Sequence, residues 1–183
     1  MRDESQRRRF EDIVLPHQAS AYNLARWLSR SDADAADIVQ EAFLRALRFF
    51  DGYRGGDPQS WLLSIVRNTA HTWLQTQRPA LPMDRHAGDE QFSCGEPWAA
   101  GEQSSPDPMT AVVEQQDARR LRQAIAQLPL EQREILILRE LDGLSYRQIA
   151  TVVGCPIGTV MSRLYRARDG LASKFRSEGA GTP

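Results

Sequence analysis

SYRQIATVVGCPIGTVMSRLYRAR, residues 145–168, is the stretch whose reading decides the fold. Ser145 can cap a helix by accepting an orphan backbone N–H, and Gln148, three residues on, can reach back to complete a capping box. Ile149, Ala150 and Val153 then fall on one helical face. Gly154 stands where a helix ends in the left-handed region, and Pro156 follows where a new helix starts without wasting a donor. The second helix puts Ile157, Val160, Leu164, Ala167 and Leu171 on its inner face, leaving Ser162, Arg163, Arg166 and Arg168 largely on the outer one. Ala150, Gly154 and Val160 have the offsets of a helix-turn-helix: the small side chain allows close approach, the glycine turns, the valine packs back. An outer face rich in Arg suits phosphates and guanine edges. A plain helical hairpin with a solvated basic face is the blander alternative.

Upstream of this motif, Val112, Val113, Ala118, Leu121, Ile125 and Leu128 mark a helix stopped by Pro129. LEQREILILREL (130–141) is a second, with Glu131 and Glu134 early and Arg139 late, as the helix dipole prefers. Asp142-Gly143 ends it. From Pro79 to about Pro108, prolines, glycines, serines and acids dominate and no period is sustained, so this stretch reads as a linker too polar to bury. It carries Asp84, Asp89, Glu90, Glu96, Glu102 and Asp107 against Arg85.

The N-terminal part reads as a second helical group. Phe10, Ile13, Val14, Ala21, Leu24, Ala25 and Leu28 have helical spacing, with a kink or break expected at Pro16. Ser31 or Asp32 is set to cap the next helix, about 33–50, whose core stripe is Val39, Ala42, Phe43, Ala46, Leu47 and Phe50. DGYRGGDP (51–58) is a loop, and Asp57 followed by Pro58 is a strong helix start. The helix that follows presents Trp61, Leu62, Ile65, Val66, Thr69, Ala70 and Trp73, and ends before Pro79. The tryptophans read as core. No strand pattern occurs, so the expected fold class is all-α: two small helical domains joined by a flexible linker.

Composition bounds the rest. The 183 residues carry net charge −1 and 41% hydrophobic residues, so binding to a polyanion must come from local patches. Basic residues gather at Arg7–Arg9, Arg119–Arg122 and Arg163–Arg176. No run of roughly 18 apolar residues is present, nor an apolar segment after the charged MRDESQRRRF, so a cytoplasmic protein with no membrane insertion is expected. Cys94 and Cys155 are far apart and form no metal-binding spacing. Cys155 reads as a small apolar residue of the turn, and Cys94, with His86 nearby, as an exposed thiol, a redox or metal role being the alternative. Nothing has the spacing of a catalytic acid–base pair, so neither enzyme activity nor a cofactor is expected. A helix-turn-helix alone fits repressors, activators and response regulators equally.

The resemblance is more specific than the motif. DADAADIVQEAFLRALRFFDGYRGGDPQSWLLSIVRNTAHTWLQTQR (32–78) resembles region 2 of bacterial extracytoplasmic-function sigma factors. LPLEQREILILRELDGLSYRQIATVVGCPIGTVMSRLYRARDGL (128–171) resembles region 4 of the same family, in the family's order, with the linker where that family lacks region 3. The resemblance implies a region 2 domain over 5–79, a linker over 80–109, a region 4 domain over 110–176 and a disordered tail over 177–183. It implies that Asp37, Gln40 and Glu41 dock on the β′ clamp helices of core RNA polymerase, and that the β flap is a further contact. It implies that the loop 51–57 and the following helix start read the −10 element of promoter DNA, through Tyr53, Arg54 and Asn68. Catching unstacked bases takes aromatic faces and an amide-edged pocket, the chemistry Tyr53 and Asn68 offer. For the −35 element the implied contacts are Ser162, Arg163 and Arg166, with Thr159, Arg168 and Lys174 on phosphate. Family members often carry a basic residue where Met161 stands, which implies a different −35 preference here. Arg119, Arg120 and Arg122 fit either DNA backbone contacts or a solvated face. An anti-sigma factor is implied as a partner, and the acidic linker is suited to a basic polymerase channel. The competing reading is a stand-alone DNA-binding regulator whose first half is an oligomerisation or sensor module.

Overall fold

The computed structural model describes residues 2–77 and 108–179, and among them every regular element is helical. The linker expected over 80–109, with His86 and Cys94, lies outside the described residues apart from its last two positions, which are already helical. The expected tail is helical as far as Gly179, and its last four residues are also outside them.

The first bundle contains α1 (Arg2–Val14), α2 (Gln18–Ser29), α3 (Asp32–Phe49) and α4 (Pro58–Gln77). Pro16 sits in a 3₁₀ turn, Leu15–His17, that breaks α1 from α2, since its ring and missing N–H cannot continue an α-helix. Arg30 ends α2 in the left-handed region at φ 65°, and the Ser31 hydroxyl then caps α3 by accepting the Asp34 N–H at 3.3 Å. Asp32 and Asp34 lie in the first turn, at the positive end of the helix dipole. α3 buries Ala35, Ile38, Ala42 and Ala46, and the three alanines let it approach α2 and α4 closely. Leu47, expected in this stripe, is exposed instead, one residue and about 100° round the helix from Ala46. Asp57 caps α4 through the Ser60 N–H at 3.2 Å, and Pro58 opens it. Leu24, Leu28, Ile38, Leu62 and Leu63 are fully buried between the helices, with Trp61 and Trp73 packed against them.

The second bundle contains α5 (Pro108–Ala126), α6 (Leu130–Glu140), α7 (Tyr146–Val153) and α8 (Ile157–Gly179). Ala124, Ile125 and Ala126 give α5 its buried end and Leu128 is buried just beyond it, while Leu121, expected on that face, is exposed. Ile135, Ile137, Leu138, Leu144 and Ile149 are fully buried, and Cys155 packs against the same core.

The two bundles meet, α4 against α7 and α2 against α6. Polar groups bind this junction. The Glu134 side chain is 0% exposed and receives Arg67 Nε at 3.0 Å and Arg67 Nη2 at 3.1 Å, one on each carboxylate oxygen. His71 Nε2 lies 2.9 Å from the same carboxylate. Gln148 donates to Asp57 at 2.7 Å, and Gln59 to the Asp142 carbonyl at 3.5 Å.

Candidate nucleic-acid interface

The helix-turn-helix is built by local chemistry. Ser145 Oγ accepts the Gln148 N–H at 3.3 Å, and Gln148 Oε1 accepts the Ser145 N–H at 2.9 Å, so both halves of the capping box form. Ile149, Val152 and Val153 are buried, and Gly154 ends α7 at φ 71°, a conformation a Cβ makes costly. Arg139 donates to the Leu144 carbonyl at 2.8 Å and lies 5.1 Å from the Tyr146 ring centroid, fixing the turn that leads into α7. Val160, Leu164 and Ala167 seat α8 on this frame.

The outer face of α8 differs from the sequence expectation in two ways. Arg163, expected outward, is turned back onto α6, its Nη2 2.6 Å from Glu131. Ile157, expected inward, is 42% exposed. It is the first residue of α8, nearly one turn ahead of Val160, where contact with the core begins. Two further cations are engaged within the bundle: Arg168 donates to Glu140 at 2.6 Å, and Lys174 to Gln127 Oε1 at 2.5 Å. Ser162 and Arg166 are both exposed, held to the helix by bonds to the Thr159 and Ser162 carbonyls at 3.1 and 3.3 Å. Thr159 is half-buried in the first turn. The structure adds Arg147, exposed on α7, and the exposed Met161 and Tyr165 of α8.

In the first bundle, Asp37, Gln40 and Glu41 are all exposed on α3, with Glu41 bound to Arg45 at 2.7 Å. Gln40 edges a shallow apolar groove formed by Leu15, Tyr22, Val39 and Phe43. Tyr53 is half-buried, its ring stacked on Phe50 at 5.8 Å and 5.1 Å from Trp61, and its hydroxyl donates to the Gly56 carbonyl at 3.0 Å. Arg54 beside it is exposed. Asn68 is exposed on α4, ten residues and about 15 Å along the helix axis from Pro58, so it is not part of the Tyr53 cluster. Burial pushes the Asp57 carboxyl up, but hydrogen bonds from Ser60 and Gln148 outweigh it and hold the group below its usual 3.8.

Glu134, Arg67 and His71 were not legible as a cluster in the sequence, where an acidic residue early in α6 is already accounted for by the helix dipole. No described helix is long and apolar enough to cross a membrane, and the described residues contain no group of three or more His, Cys, Asp or Glu able to hold a metal.

Comparison with known proteins places these surfaces in a family. Residues 13–79 match the family model for sigma-70 region 2, and residues 118–170 match that for sigma-70 region 4. The chain is 37% identical over 168 residues to the RNA polymerase sigma-H factor of Pseudomonas aeruginosa, covering 90% of this chain and 85% of that one. It is 37% identical over 176 residues to the ECF RNA polymerase sigma-E factor of Escherichia coli K12, covering 91% and 86%. Its fold is similar to that of the sigma factor RpoE, solved with the anti-sigma factor NepR from Bartonella quintana, at TM-score 0.70 and 24% identity over 91% of this chain and 96% of that one. It is also similar to CnrH, solved with the cytosolic domain of CnrY, at TM-score 0.62 and 20% identity, covering 93% and 90%. The chain belongs to the sigma-70 family, as an extracytoplasmic-function sigma factor that directs promoter-specific initiation by RNA polymerase.

Proposed function

We propose that the two bundles divide the work of promoter recognition. Residues 5–79 bind core polymerase and open the −10 element, and residues 110–176 read the −35 element. Asp37, Gln40 and Glu41 contact the β′ clamp helices, and the second bundle contacts the β flap. The observation that carries this division is a pair of exposed polar faces, Asp37–Gln40–Glu41 on α3 and Ser162–Arg166 on α8, one in each family-matched segment. Arg166 and Ser162 reach base edges. Arg168, Lys174, Arg163 and Thr159 serve phosphates, the first three exchanging an internal partner for DNA. Near −10, Tyr53 offers an aromatic face, Arg54 a cation and Asn68 an amide to unstacked bases. The protein acts in the cytoplasm without catalysing a reaction of its own, and an anti-sigma factor controls it. The sigma factor of similar fold that was solved with the anti-sigma factor NepR supports that last assignment.

The test is run-off transcription with purified core polymerase on DNA of the cognate genome. Addition of the chain yields discrete promoter-specific transcripts, and Asp37→Ala with Glu41→Arg weakens its co-purification with core while leaving the fold intact. A chain that binds duplex DNA alone, ignores core polymerase and starts no transcript is a stand-alone regulator, and the division of labour fails.

A further inference from the structure

The exposed face of α8 is more apolar than a phosphate-binding face needs to be. Ile157 is 42%, Met161 53% and Tyr165 72% exposed. Their spacing of four residues sets them in one stripe along the first half of α8, drifting about 40° per step. Ser162 and Arg166, each one residue further on, flank the stripe on one side. Arg163 and Arg168 are held by Glu131 and Glu140, so the cations that a sequence reading assigns to this face are partly withdrawn from it.

We propose that Ile157, Met161 and Tyr165 read the C5-methyl groups of thymines in the major groove of the −35 element. The proposal rests on the −35 role given above to α8 and names the chemistry of what it reads. Thymine is the base that presents an apolar group to the major groove, and apolar side chains recognise it there. The stripe runs about 12 Å along the helix, which matches three to four base-pair steps at about 3.4 Å each. Arg166, exposed beside it on α8, and Arg147, exposed on α7, supply the charge that holds a polyanion against an otherwise apolar strip. An uncharged protein surface would cover the three apolar side chains equally well, but it would leave the flanking Arg166 without a use.

The test uses the full chain with core polymerase on a template library randomised over the −35 region, with the initiating templates sequenced. Thymines are enriched at two or more adjacent positions of one strand. Replacing each enriched thymine by deoxyuridine removes only the methyl group and lowers initiation at limiting template about fourfold per methyl. The variant carrying Met161→Ala and Tyr165→Ala still initiates but no longer distinguishes thymine from deoxyuridine. Absence of thymine enrichment, or equal use of thymine and deoxyuridine templates by the unmodified chain, overturns the proposal. So does a double variant that loses affinity for core polymerase with its −35 preference unchanged, since the stripe then docks a protein. Failure to initiate on any template removes the proposed function itself, and the methyl reading with it.

Discussion

Glu134→Ala removes the carboxylate that ties α6 to α4. The side chain is 0% exposed, and it holds Arg67 by two hydrogen bonds of 3.0 and 3.1 Å and His71 by a third contact of 2.9 Å. Removing one partner of a buried ion pair costs about 3–5 kcal/mol, because the charge left behind keeps its desolvation penalty. Here the side chains left behind are 16% and 27% exposed, so water can reach them, and the expected loss falls to about 2–4 kcal/mol. Glu134→Gln keeps the shape and one acceptor and should lose about 1–3 kcal/mol. The assay is equilibrium urea unfolding of the full chain followed by tryptophan fluorescence, extended to a double-mutant cycle with Arg67→Ala. A coupling above about 1 kcal/mol is expected for residues in direct contact. The pH dependence has a definite sign. Burial pushes the Glu134 carboxyl up, but its bonds to His71 and Arg67 outweigh that and hold it below the usual 4.5. Its contribution is therefore present above about pH 4.5 and lost as pH falls through the lower folded value. The gap between the native chain and Glu134→Ala should close in acid. A loss below about 0.5 kcal/mol, or strict additivity with Arg67→Ala, would refute the reasoning.

Three other perturbations probe different parts of the chain. Asp142 is pushed up by burial from 3.8 to about 6, with a hydrogen bond to Ser20 opposing the shift. Its stabilising contribution is thus complete below pH 3.8 and lost as pH rises through about 6. Asp142→Asn should raise stability by about 1–3 kcal/mol at pH 7.5 and by nothing at pH 4, and melting curves across pH that show a constant gain would contradict this. Asn68→Ala should impair open-complex formation, read by permanganate reactivity of melted thymines, while affinity for core polymerase persists; loss of core affinity would mean the residue serves the other interface. Arg166→Ala should cost about 1–3 kcal/mol on the preferred −35 sequence and less on variants of it, whereas a uniform loss measured by competition binding makes it a phosphate contact.

The sequence speaks plainly wherever structure is set within a few residues. Ser145 and Gln148 form both hydrogen bonds of the capping box, Gly154 takes the left-handed conformation, and Pro16 breaks the first helical run. Each follows from one residue's backbone preference or from a side chain reaching three positions. What the sequence hides depends on distance along the chain. Glu134 meets Arg67 and His71 across separations of 67 and 63 residues, and helix periodicity contains no trace of that meeting. Arg163 has the same character: its position on α8 allows it to face outward, and only the placement of α6 supplies Glu131 to draw it in. Ile157 and Leu47 show the limit of periodicity itself, which assigns a face but not the point along the helix, or around its flank, where the neighbouring helix stops covering it. Of the expected DNA contacts, Ser162, Arg166, Arg54 and Asn68 lie on the surface, whereas Tyr53 belongs to an aromatic cluster with Phe50 and Trp61. A single tyrosine in a glycine-rich loop gives no sign of which of its two roles, packing or stacking on a base, the fold will allow.

The central claim is that one chain grips a promoter at two points through two different bundles. Placing a photo-crosslinking amino acid at position 68 in one variant and at position 162 in another, then irradiating the complex with core polymerase and promoter DNA, measures it directly. The account predicts that position 68 labels the −10 element and position 162 the −35 element, in the same complex that initiates transcription. Both positions labelling a single element, or neither reacting with DNA in a complex that still initiates, would contradict it.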